Sequence, residues 1–263
     1  MAYDPFDGPK VKVQRAKHHV ADFKLAYNRF VDSNPATYVF EDDRQTGHRI
    51  HKARFTKPFP SEAGLIAADA IYNLRSALDQ MIRACTNPSD RAGDDSYFPR
   101  GKDFDGFEFS LRSKCKKVPD CIKDALRSLK PYYGGHGYLF RALHDLNLID
   151  KHADLIAVVP GIQNVELGGD ITRIDARWQW GENEVVFATS PIGANHNICI
   201  SYQIAFADIE AIQNQSVIQV LNKFCEHVGK AIALVERPCP RNDLGTKRRF
   251  SSSLDFVASK VST

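Results

Sequence analysis

The stretch IYNLRSALDQMIRAC, residues 71–85, has the pattern of an amphipathic helix, and it sets the architecture expected for the chain. At about 100° per residue, its large apolar side chains fall on one side of the helix axis. That side predicts a helix packed in a core, whereas the opposite sector is either a solvated face or a binding site. The polar sector comprises Tyr72, Ser76, Asp79 and Arg83, with Arg75 on its flank.

Apolar residues recur every three or four positions in three further segments, and this spacing predicts helices. The first begins near residue 10 and ends near Asn34-Pro35. The second spans residue 138 to about 156, and the third spans about 214–237. A shorter helix is expected from Pro119 to Leu129, because proline is favoured at the start of a helix. Together with the 71–85 helix, these segments predict a helical layer.

β-forming residues dominate two other parts of the chain. The run ATYVFEDDRQTGHRIHKARF, residues 36–55, has two β-rich arms around Thr46-Gly47, which is the pattern of a hairpin. From residue 157 to about 207, runs such as EVVFATS and NICISYQIAF are separated by turn residues, which predicts an antiparallel sheet. The combination predicts an α+β fold, with a helical layer, an N-terminal β-hairpin and a C-terminal antiparallel sheet followed by a closing helix.

A length of 263 residues is enough for one well-packed core, and we predict a single domain over residues 1–239. Its predicted parts are a helical part at 10–156, the antiparallel sheet at about 157–207 and the closing helix at about 214–237. Residues 240–263 lack a sustained apolar stripe, so a mobile tail is expected there. The expected role of this tail is contact with another protein or with nucleic acid.

The composition, 43% hydrophobic and 25% charged, is that of a soluble globular protein. No run of about 18 apolar residues is present, and the N-terminus lacks the apolar centre of a secretory signal. We therefore expect a cytoplasmic location and no membrane partner. A net charge of +3 does not by itself indicate nucleic acid as a partner. Basic residues nevertheless cluster near both ends of the chain, at Lys10, Lys12, Arg15, Lys17, Lys247, Arg248 and Arg249.

Six cysteines are spread over helix-like, strand-like and loop-like contexts without paired short spacings. Only Cys115 and Cys121 are close in sequence, and no second cysteine or histidine pair lies near them, which argues against a zinc site. We therefore expect buried free thiols, no bound metal and no cofactor.

The helix that begins at residue 138 also separates polar from apolar residues. Its apolar stripe contains one carboxylate, Asp150, whose burial is costly unless it is paired or reaches water. Asp150 is therefore predicted to be a structural polar residue, shielded from water and paired with a cation or backbone donors of another helix. The polar side comprises Arg141, His144, Asp145, Lys151 and His152.

Two interpretations of these polar faces stay open. A solvated face is supported by the spacing of Arg75, Asp79 and Arg83, since each i,i+4 ion pair contributes about 0.2–0.5 kcal/mol. A site is supported by the residue types, because solvated helix faces favour Lys, Glu and Gln, whereas Asp, Arg, His, Asn and Ser dominate here. A metal held by the second helix alone is excluded, because His144 and His152 are eight positions apart, or about 12 Å along the axis.

The glycines of KPYYGGHG, residues 130–137, precede a helix, and helix N-termini bind phosphate through exposed N–H groups. Phosphate-binding loops follow a strand, however, and these glycines follow a helix. The context therefore favours a helix-to-helix turn. A nucleophilic serine is also disfavoured, because the sequence contains no G-x-S-x-G.

Two segments resemble a widespread bacterial family of obscure function that carries HNLRSALDH-like and NIDKHR-like helices. They are NLRSALDQ, residues 73–80, and LHDLNLIDKH, residues 143–152, joined by LKPYYGG. The resemblance extends from the helix containing RAKHH, at 15–19, through the second segment. The family's R-S-A-L-D-H segment is similar in turn to the Arg-x4-6-His helix motif of the HEPN superfamily, small helical domains that often act as metal-independent ribonucleases in defence systems.

The resemblance implies a HEPN-like bundle, often a homodimer, that binds or cleaves RNA in bacterial defence or stress. Arg75 would stabilise phosphate charge, and a histidine would transfer protons. This chain has Tyr72 and Gln80 where the family has histidines, and glutamine does not exchange a proton near neutral pH. Either His152 or His144 has taken over proton transfer, or the protein binds without cleaving. The implied substrate-binding residues are Tyr72, Asn73, Asp79, Gln80, Arg141 and Lys151.

A different class of function also fits the sequence. The Arg, Asp and His residues can form a buried polar network that fixes the register of helices in a non-catalytic interaction or structural protein. Exposure separates the two interpretations. A site requires Arg75 and His152 to meet in an open concavity, whereas a register network buries both and satisfies their hydrogen bonds.

Overall fold

The computed structural model describes residues 4–86, 96–152, 158–169, 172–179, 183–206, 209–213 and 215–239. Helices and antiparallel strands together confirm the predicted α+β class. The elements are α1 (Asp7–Asp32), β1 (Ala36–Asp43), β2 (His48–Phe55), α2 (Glu62–Ala84), α3 (Phe104–Lys114), α4 (Asp120–Leu129), α5 (Tyr138–His152), β3 (Val158–Gly169), β4 (Thr172–Gln179), β5 (Glu184–Pro191), β6 (His196–Phe206), a short 3-10 helix (Glu210–Ile212) and α6 (Val217–Glu236).

α2 lies at the centre of the helical layer and contacts α1, α5 and α6. Leu74, Leu78 and Met81 on its apolar side are fully buried, as the sequence pattern predicts. Burial of each such side chain stabilises the fold by roughly 1.5–3 kcal/mol. Lys12 lies over Tyr72 and Gly8 lies beside Gln80, so α1 runs antiparallel to α2.

The glycines of the loop before α5 allow the loop backbone to pass close to the end of α4, and this role differs from phosphate binding. Lys130, which directly follows α4, has a left-handed conformation with φ of 46°, and the chain then folds back over the end of that helix. A Cβ atom at Gly137 would lie 2.0 Å from the carbonyl oxygen of Leu129, and one at Gly135 would lie 2.4 Å from that of Lys130. This geometry is the helix-to-helix turn that the sequence context favours.

The strands form two antiparallel sheets, with order β1-β2-β5-β4 in one and β3-β6 in the other. The N-terminal hairpin is therefore not separate, because β2 pairs with β5 along its second edge. An isolated hairpin is marginally stable in water, and the inward face of β2 carries His51, Ala53 and Phe55. Pairing with β5 buries that face beside Phe187 and Ala188.

The two-stranded sheet contacts both the hairpin and the helical layer. The ring of Tyr202 on β6 meets that of Phe55 at 5.5 Å between centroids. Tyr27 of α1 donates a hydrogen bond from its hydroxyl to the carbonyl oxygen of Tyr202 at 2.8 Å. Ile204 and Phe206 at the end of β6 belong to the same core as the helices.

The closing helix α6 confirms the predicted segment at about 214–237. The predicted mobile tail, residues 240–263, lies outside the described residues, as does the end of the second predicted helix beyond residue 152. Among the helices of the described part, none is both long and apolar enough to cross a membrane. The HEPN-like character of the helical layer stays a prediction.

Candidate functional site

Arg75 points into the protein from the flank of α2 and is 5% exposed. Its Nη2 atom lies 2.8 Å from Asp79 Oδ1, one helical turn further along. The same nitrogen donates to the carbonyl oxygen of Phe98 at 3.4 Å, and the guanidinium carbon lies 5.8 Å from the centre of the Phe98 ring. The segment around Phe98 therefore covers Arg75.

Asp79 also binds the backbone of Phe98. Its Oδ1 atom accepts a hydrogen bond from the backbone N–H of Phe98 at 3.0 Å. Arg75 and Asp79 thus engage the carbonyl and the amide of one residue, at the same time as they pair with each other. We call Arg75, Asp79 and Phe98 the Phe98 clamp. Hydrogen bonds that involve a charged partner contribute roughly 1.5–3 kcal/mol each.

The electrostatics of the clamp fit a structural role better than a phosphate site. Burial lowers the pKa of Arg75, nearby Arg100 lowers it further, and the Asp79 carboxylate opposes both effects. The guanidinium stays charged in proteins, so it needs the compensation that Asp79 provides. With only 5% of its surface exposed, Arg75 has no open face for a phosphodiester.

A second polar cluster ties α5 to the loop before it. Arg141 Nη2 lies 2.5 Å from Asp145 Oδ1, and Arg141 Nε donates to Asp145 Oδ2 at 2.9 Å, which gives a forked pair. The hydroxyl of Tyr133 donates to the same Oδ2 at 2.9 Å. Burial, followed by this hydrogen bond, raises the pKa of Tyr133 to about 12. Arg141 is therefore engaged within the fold.

His144 is buried, with 4% of its surface exposed, although the helical pattern places it on the polar side of α5. Asn147 is also 4% exposed, and the sequence did not single it out. Both are buried because α5 packs against α2 and α6, so more than one of its faces is covered. A buried His144 has no direct access to an RNA substrate.

Asp150, His152 and Lys151 belong to the last turns of α5. Asp150 is half-buried, and its side chain takes part in none of the hydrogen bonds or ion pairs seen within the described ranges. The side chains of Lys151 and His152 lie outside the described part of the structure. The expected meeting of Arg75 with His152 therefore stays a prediction, and so does the pairing of Asp150.

Tyr72, Asn73 and Gln80, the remaining substrate-binding candidates, differ in availability. Tyr72 is 48% exposed, and Lys12 Nζ lies 5.4 Å from the centre of its ring. Asn73 Nδ2 donates to the carbonyl oxygen of Asp69 at 2.8 Å. Gln80 is half-buried and donates to Ser76 Oγ at 3.5 Å. Tyr72 is the most exposed of these three residues.

The clamp holds an exposed surface that the sequence did not identify. Tyr97, immediately before Phe98, is 45% exposed, and Lys114 Nζ of α3 lies 5.8 Å from the centre of its ring. Arg100, two residues after Phe98, is exposed, and its backbone N–H donates to Ser110 Oγ of α3 at 3.0 Å. The segment around Phe98 and α3 therefore form one continuous surface.

Phe109 and Arg112 lie on the other side of α3 from Lys114, because residues two positions apart on a helix, such as Arg112 and Lys114, point about 160° apart. Phe109 is 68% exposed, and Arg112, three positions later, is also exposed. Two acidic neighbours are engaged elsewhere, since Asp103 accepts the Gly106 N–H that caps α3 and Glu108 pairs with Arg127 at 2.8 Å. We define the α3 surface as Tyr97, Arg100 and Lys114 on one side of α3, together with Phe109 and Arg112 on its other side.

Positive charge is concentrated in the part of the chain that contains the α3 surface. Residues 96–117 contain six lysines and arginines against three aspartates and glutamates, a difference of +3 (6 − 3). The whole chain has the same net charge of +3, so the other parts of the chain are neutral on balance. The charge was visible in the sequence, but only the structure shows that Tyr97 and Arg100 lie beside Lys114 and Ser110 of α3.

A hydrogen-bonded group of Tyr38, His51 and Ser190, which joins the hairpin to β5, was also missed. The hydroxyl of Tyr38 lies 2.6 Å from His51 Nδ1, and His51 Nε2 lies 2.9 Å from Ser190 Oγ. Ser190 donates its own proton to the Pro191 carbonyl oxygen at 3.2 Å, so His51 donates through Nε2 and accepts from Tyr38. Ser190 is 2% exposed and His51 is fully buried, so this serine-histidine pair has no access to a substrate.

Comparison of the chain with profiles of known protein families, with curated protein sequences and with solved structures gives no match. Within the described residues, no group of three His, Cys, Asp or Glu side chains is arranged to hold a metal ion.

Proposed function

We propose that this protein binds single-stranded nucleic acid, in the first instance RNA, at the α3 surface. The observation that carries the proposal is the Phe98 clamp, in which buried Arg75 and half-buried Asp79 hold Phe98 and thereby fix exposed Tyr97 and Arg100 beside α3, with Lys114 at the Tyr97 ring. In this proposal, Arg75 positions the binding surface and does not touch the ligand.

The chemistry of the α3 surface suits unpaired bases better than a duplex. Exposed aromatic rings stack on bases and contribute roughly 1–3 kcal/mol per base, while lysines and arginines follow the phosphate backbone. Tyr97 and Phe109 supply the rings, and Arg100, Arg112 and Lys114 supply the charge. An acidic protein partner would use the cations, but it would not require the two exposed aromatic rings of Tyr97 and Phe109.

Cleavage is a separate question from binding. The resemblance to HEPN ribonucleases assigns phosphate contact to Arg75 and proton transfer to His152 or His144. The burial of Arg75 and His144 favours the alternative in which the protein binds without cleaving. A ribonuclease activity therefore rests on His152 alone, and its role stays a prediction, as does the homodimer.

A specific observation also favours the second function, a non-catalytic protein-interaction or structural protein. Arg75 is buried and paired, and Arg141 forms a forked pair with Asp145, which is the pattern expected of a network that fixes helix register. Both functions share this network. They differ in whether the α3 surface contacts nucleic acid or another protein.

The test is fluorescence anisotropy with a labelled single-stranded RNA of about 12 nucleotides, at two salt concentrations. We expect Tyr97→Ala to weaken binding about tenfold through lost stacking. Arg112→Gln combined with Lys114→Gln should weaken binding further and reduce the slope of log affinity against log salt by about 1.4, since each phosphate contact on a single strand contributes about 0.7. Incubation of the same RNA with the wild-type protein and with His152→Ala tests cleavage.

Matched controls lie on α1, where Leu25 and Lys24 are also exposed. Leu25→Ala and Lys24→Gln should leave the affinity unchanged. Absence of RNA binding, or equal affinity of the α3-surface and α1 variants, would reject the proposal. Co-purification from the native host, with bound protein and nucleic acid both identified, then tests the interaction-protein function. That function is supported if a protein partner is recovered without nucleic acid.

A further inference from the structure

Four of the six cysteines lie at one end of the helical layer, although they are far apart in sequence. Cys85 directly follows α2, Cys115 directly follows α3, Cys121 belongs to the first turn of α4 and Cys239 follows α6, and the other three all lie close enough to Cys85 to affect its electrostatics. Cys85 and Cys239 are separated by 154 positions (239 − 85). The sequence spacing of these residues gave no sign that they meet.

The two most distant thiols are in direct contact. Hydrogen bonding with the Cys239 thiol, followed by burial, raises the pKa of Cys85 far above its ordinary value, and Cys85 Sγ also donates to the carbonyl oxygen of Met81 at 3.4 Å. A second contact fixes the same end of α6, because Cys121 Sγ lies 3.8 Å from the carbonyl oxygen of Pro238. The chain after α6 is therefore held against the ends of both α2 and α4.

The four thiols differ in exposure. Cys85 is 6% exposed and Cys115 is fully buried, whereas Cys239 is half-buried and Cys121 is exposed. A small oxidant can therefore reach Cys239 more readily than Cys85. The contact then places Cys85 in position to react with an oxidised Cys239.

We propose that Cys85 and Cys239 are an oxidation-sensitive pair that forms a disulfide on exposure to hydrogen peroxide. The Cys239 thiol releases its proton, the thiolate attacks one peroxide oxygen, the O–O bond breaks, and the departing hydroxide takes up that proton, so the products are a sulfenic acid and water. The sulfur of Cys85 then attacks the sulfenic sulfur, the S–O bond breaks, and the departing hydroxide takes the Cys85 proton to form water. The two thiols lose two electrons in total, and the peroxide gains them.

This disulfide would join the ends of α2 and α6 and close a long loop. Closing a long loop removes conformational freedom mainly from the unfolded chain, so the oxidised protein should be more stable than the reduced one. The cross-link would also fix residue 239, from which the last 24 residues of the chain continue. Oxidation would thus act on the point where the predicted tail leaves the fold.

The test uses the folded full-length protein, treated with hydrogen peroxide and then with an alkylating reagent, and analysed by peptide mass spectrometry without reduction. We expect a peptide that links Cys85 to Cys239 and disappears after treatment with dithiothreitol. The melting temperature should rise on the order of 5 °C on oxidation and return on reduction.

Cys239→Ser should abolish both the linked peptide and the temperature shift. Cys199→Ser is the matched control, because Cys199 lies on β6 and is exposed, and it should leave both unchanged. The proposal fails if the wild-type protein yields no linkage between Cys85 and Cys239, or if Cys121 rather than Cys85 is linked to Cys239.

Discussion

Asp79 accepts the backbone N–H of Phe98 at 3.0 Å, across 19 positions of sequence. Arg75 donates a second hydrogen bond to the carbonyl oxygen of the same residue. Together the two bonds hold the segment that leads to α3 against the polar flank of α2. The segment that resembles a catalytic motif therefore contacts the backbone of Phe98 through Arg75 and Asp79. Its proposed role in binding is indirect.

The first prediction concerns the stability of the Phe98 clamp. Arg75→Ala should lower the free energy of unfolding by about 2–3 kcal/mol, because it leaves Asp79 with less compensation and opens a space beneath Phe98. This value lies below the range for fully buried pairs, since the Asp79 side chain is 28% exposed. Arg75→Met should lose less, because it keeps the apolar stem. Urea denaturation of the three proteins measures both differences.

Two results would contradict this role of Arg75. If Arg75→Ala unfolds at the wild-type urea concentration, the clamp does not stabilise the fold. Loss of RNA binding without any loss of stability would instead return Arg75 to the ligand contact that the resemblance implies.

The second prediction is that residues 240–263 are dispensable for folding. The sequence lacks a sustained apolar stripe there, and α6 already completes the core with Val228, Ile232 and Val235. A chain that ends at Cys239 should therefore melt within about 1 °C of the full-length protein in differential scanning calorimetry, under reducing conditions. A truncated chain that fails to fold, or that melts much lower, contradicts it.

Much of the fold could be predicted because local patterns determine it. The apolar stripes of α1, α2 and α6 and the turn at Thr46-Gly47 each depend on neighbouring residues, and all four are present in the structure. The pairing of β2 with β5 could not be predicted in this way, because the two strands are joined only by a long-range contact.

The site was harder to predict than the fold, since a helical pattern shows which residues share a face but not what covers that face. Arg75 falls on the flank of a polar sector, and its burial depends on Phe98, which lies 23 positions later. His144 is buried for a similar reason, because α5 packs on both α2 and α6. Exposed Tyr97 and Phe109 were not singled out, because one lies in an irregular segment and the other in a short helix.

The third prediction concerns acid stability at Glu184, which is 1% exposed on β5. Burial alone would raise the pKa of this carboxyl, but hydrogen bonds and charge from Arg54 and Lys52 outweigh it and lower the pKa below its ordinary value. Its stabilising contribution is therefore present above the unfolded value of about 4.5 and is lost as the pH falls through the folded pKa.

Glu184→Gln should consequently cost about 2–3 kcal/mol at pH 7, because Lys52, which is 3% exposed, loses its buried partner. The difference from the wild type should narrow as the pH falls below about 4. Denaturation curves between pH 3 and pH 7 test this, with Glu226→Gln as an exposed control that should change little. A difference that stays constant over this range contradicts the assignment.

The fourth prediction concerns the alkaline range and the contact between Tyr133 and Asp145. The pKa of Tyr133 is raised to about 12, so the folded protein keeps the phenolic proton above pH 10, where the unfolded chain loses it. The stabilising contribution is complete below pH 10 and declines as the pH rises through about 12. Tyr133→Phe should cost about 1 kcal/mol at pH 8, through the lost hydrogen bond, and should remove this part of the alkaline decline. Stability measured between pH 8 and pH 12 tests the prediction, with Tyr97→Phe as the exposed control. If stability declines equally in the wild type and in Tyr133→Phe as the pH rises, Tyr133 does not keep its proton in the folded protein.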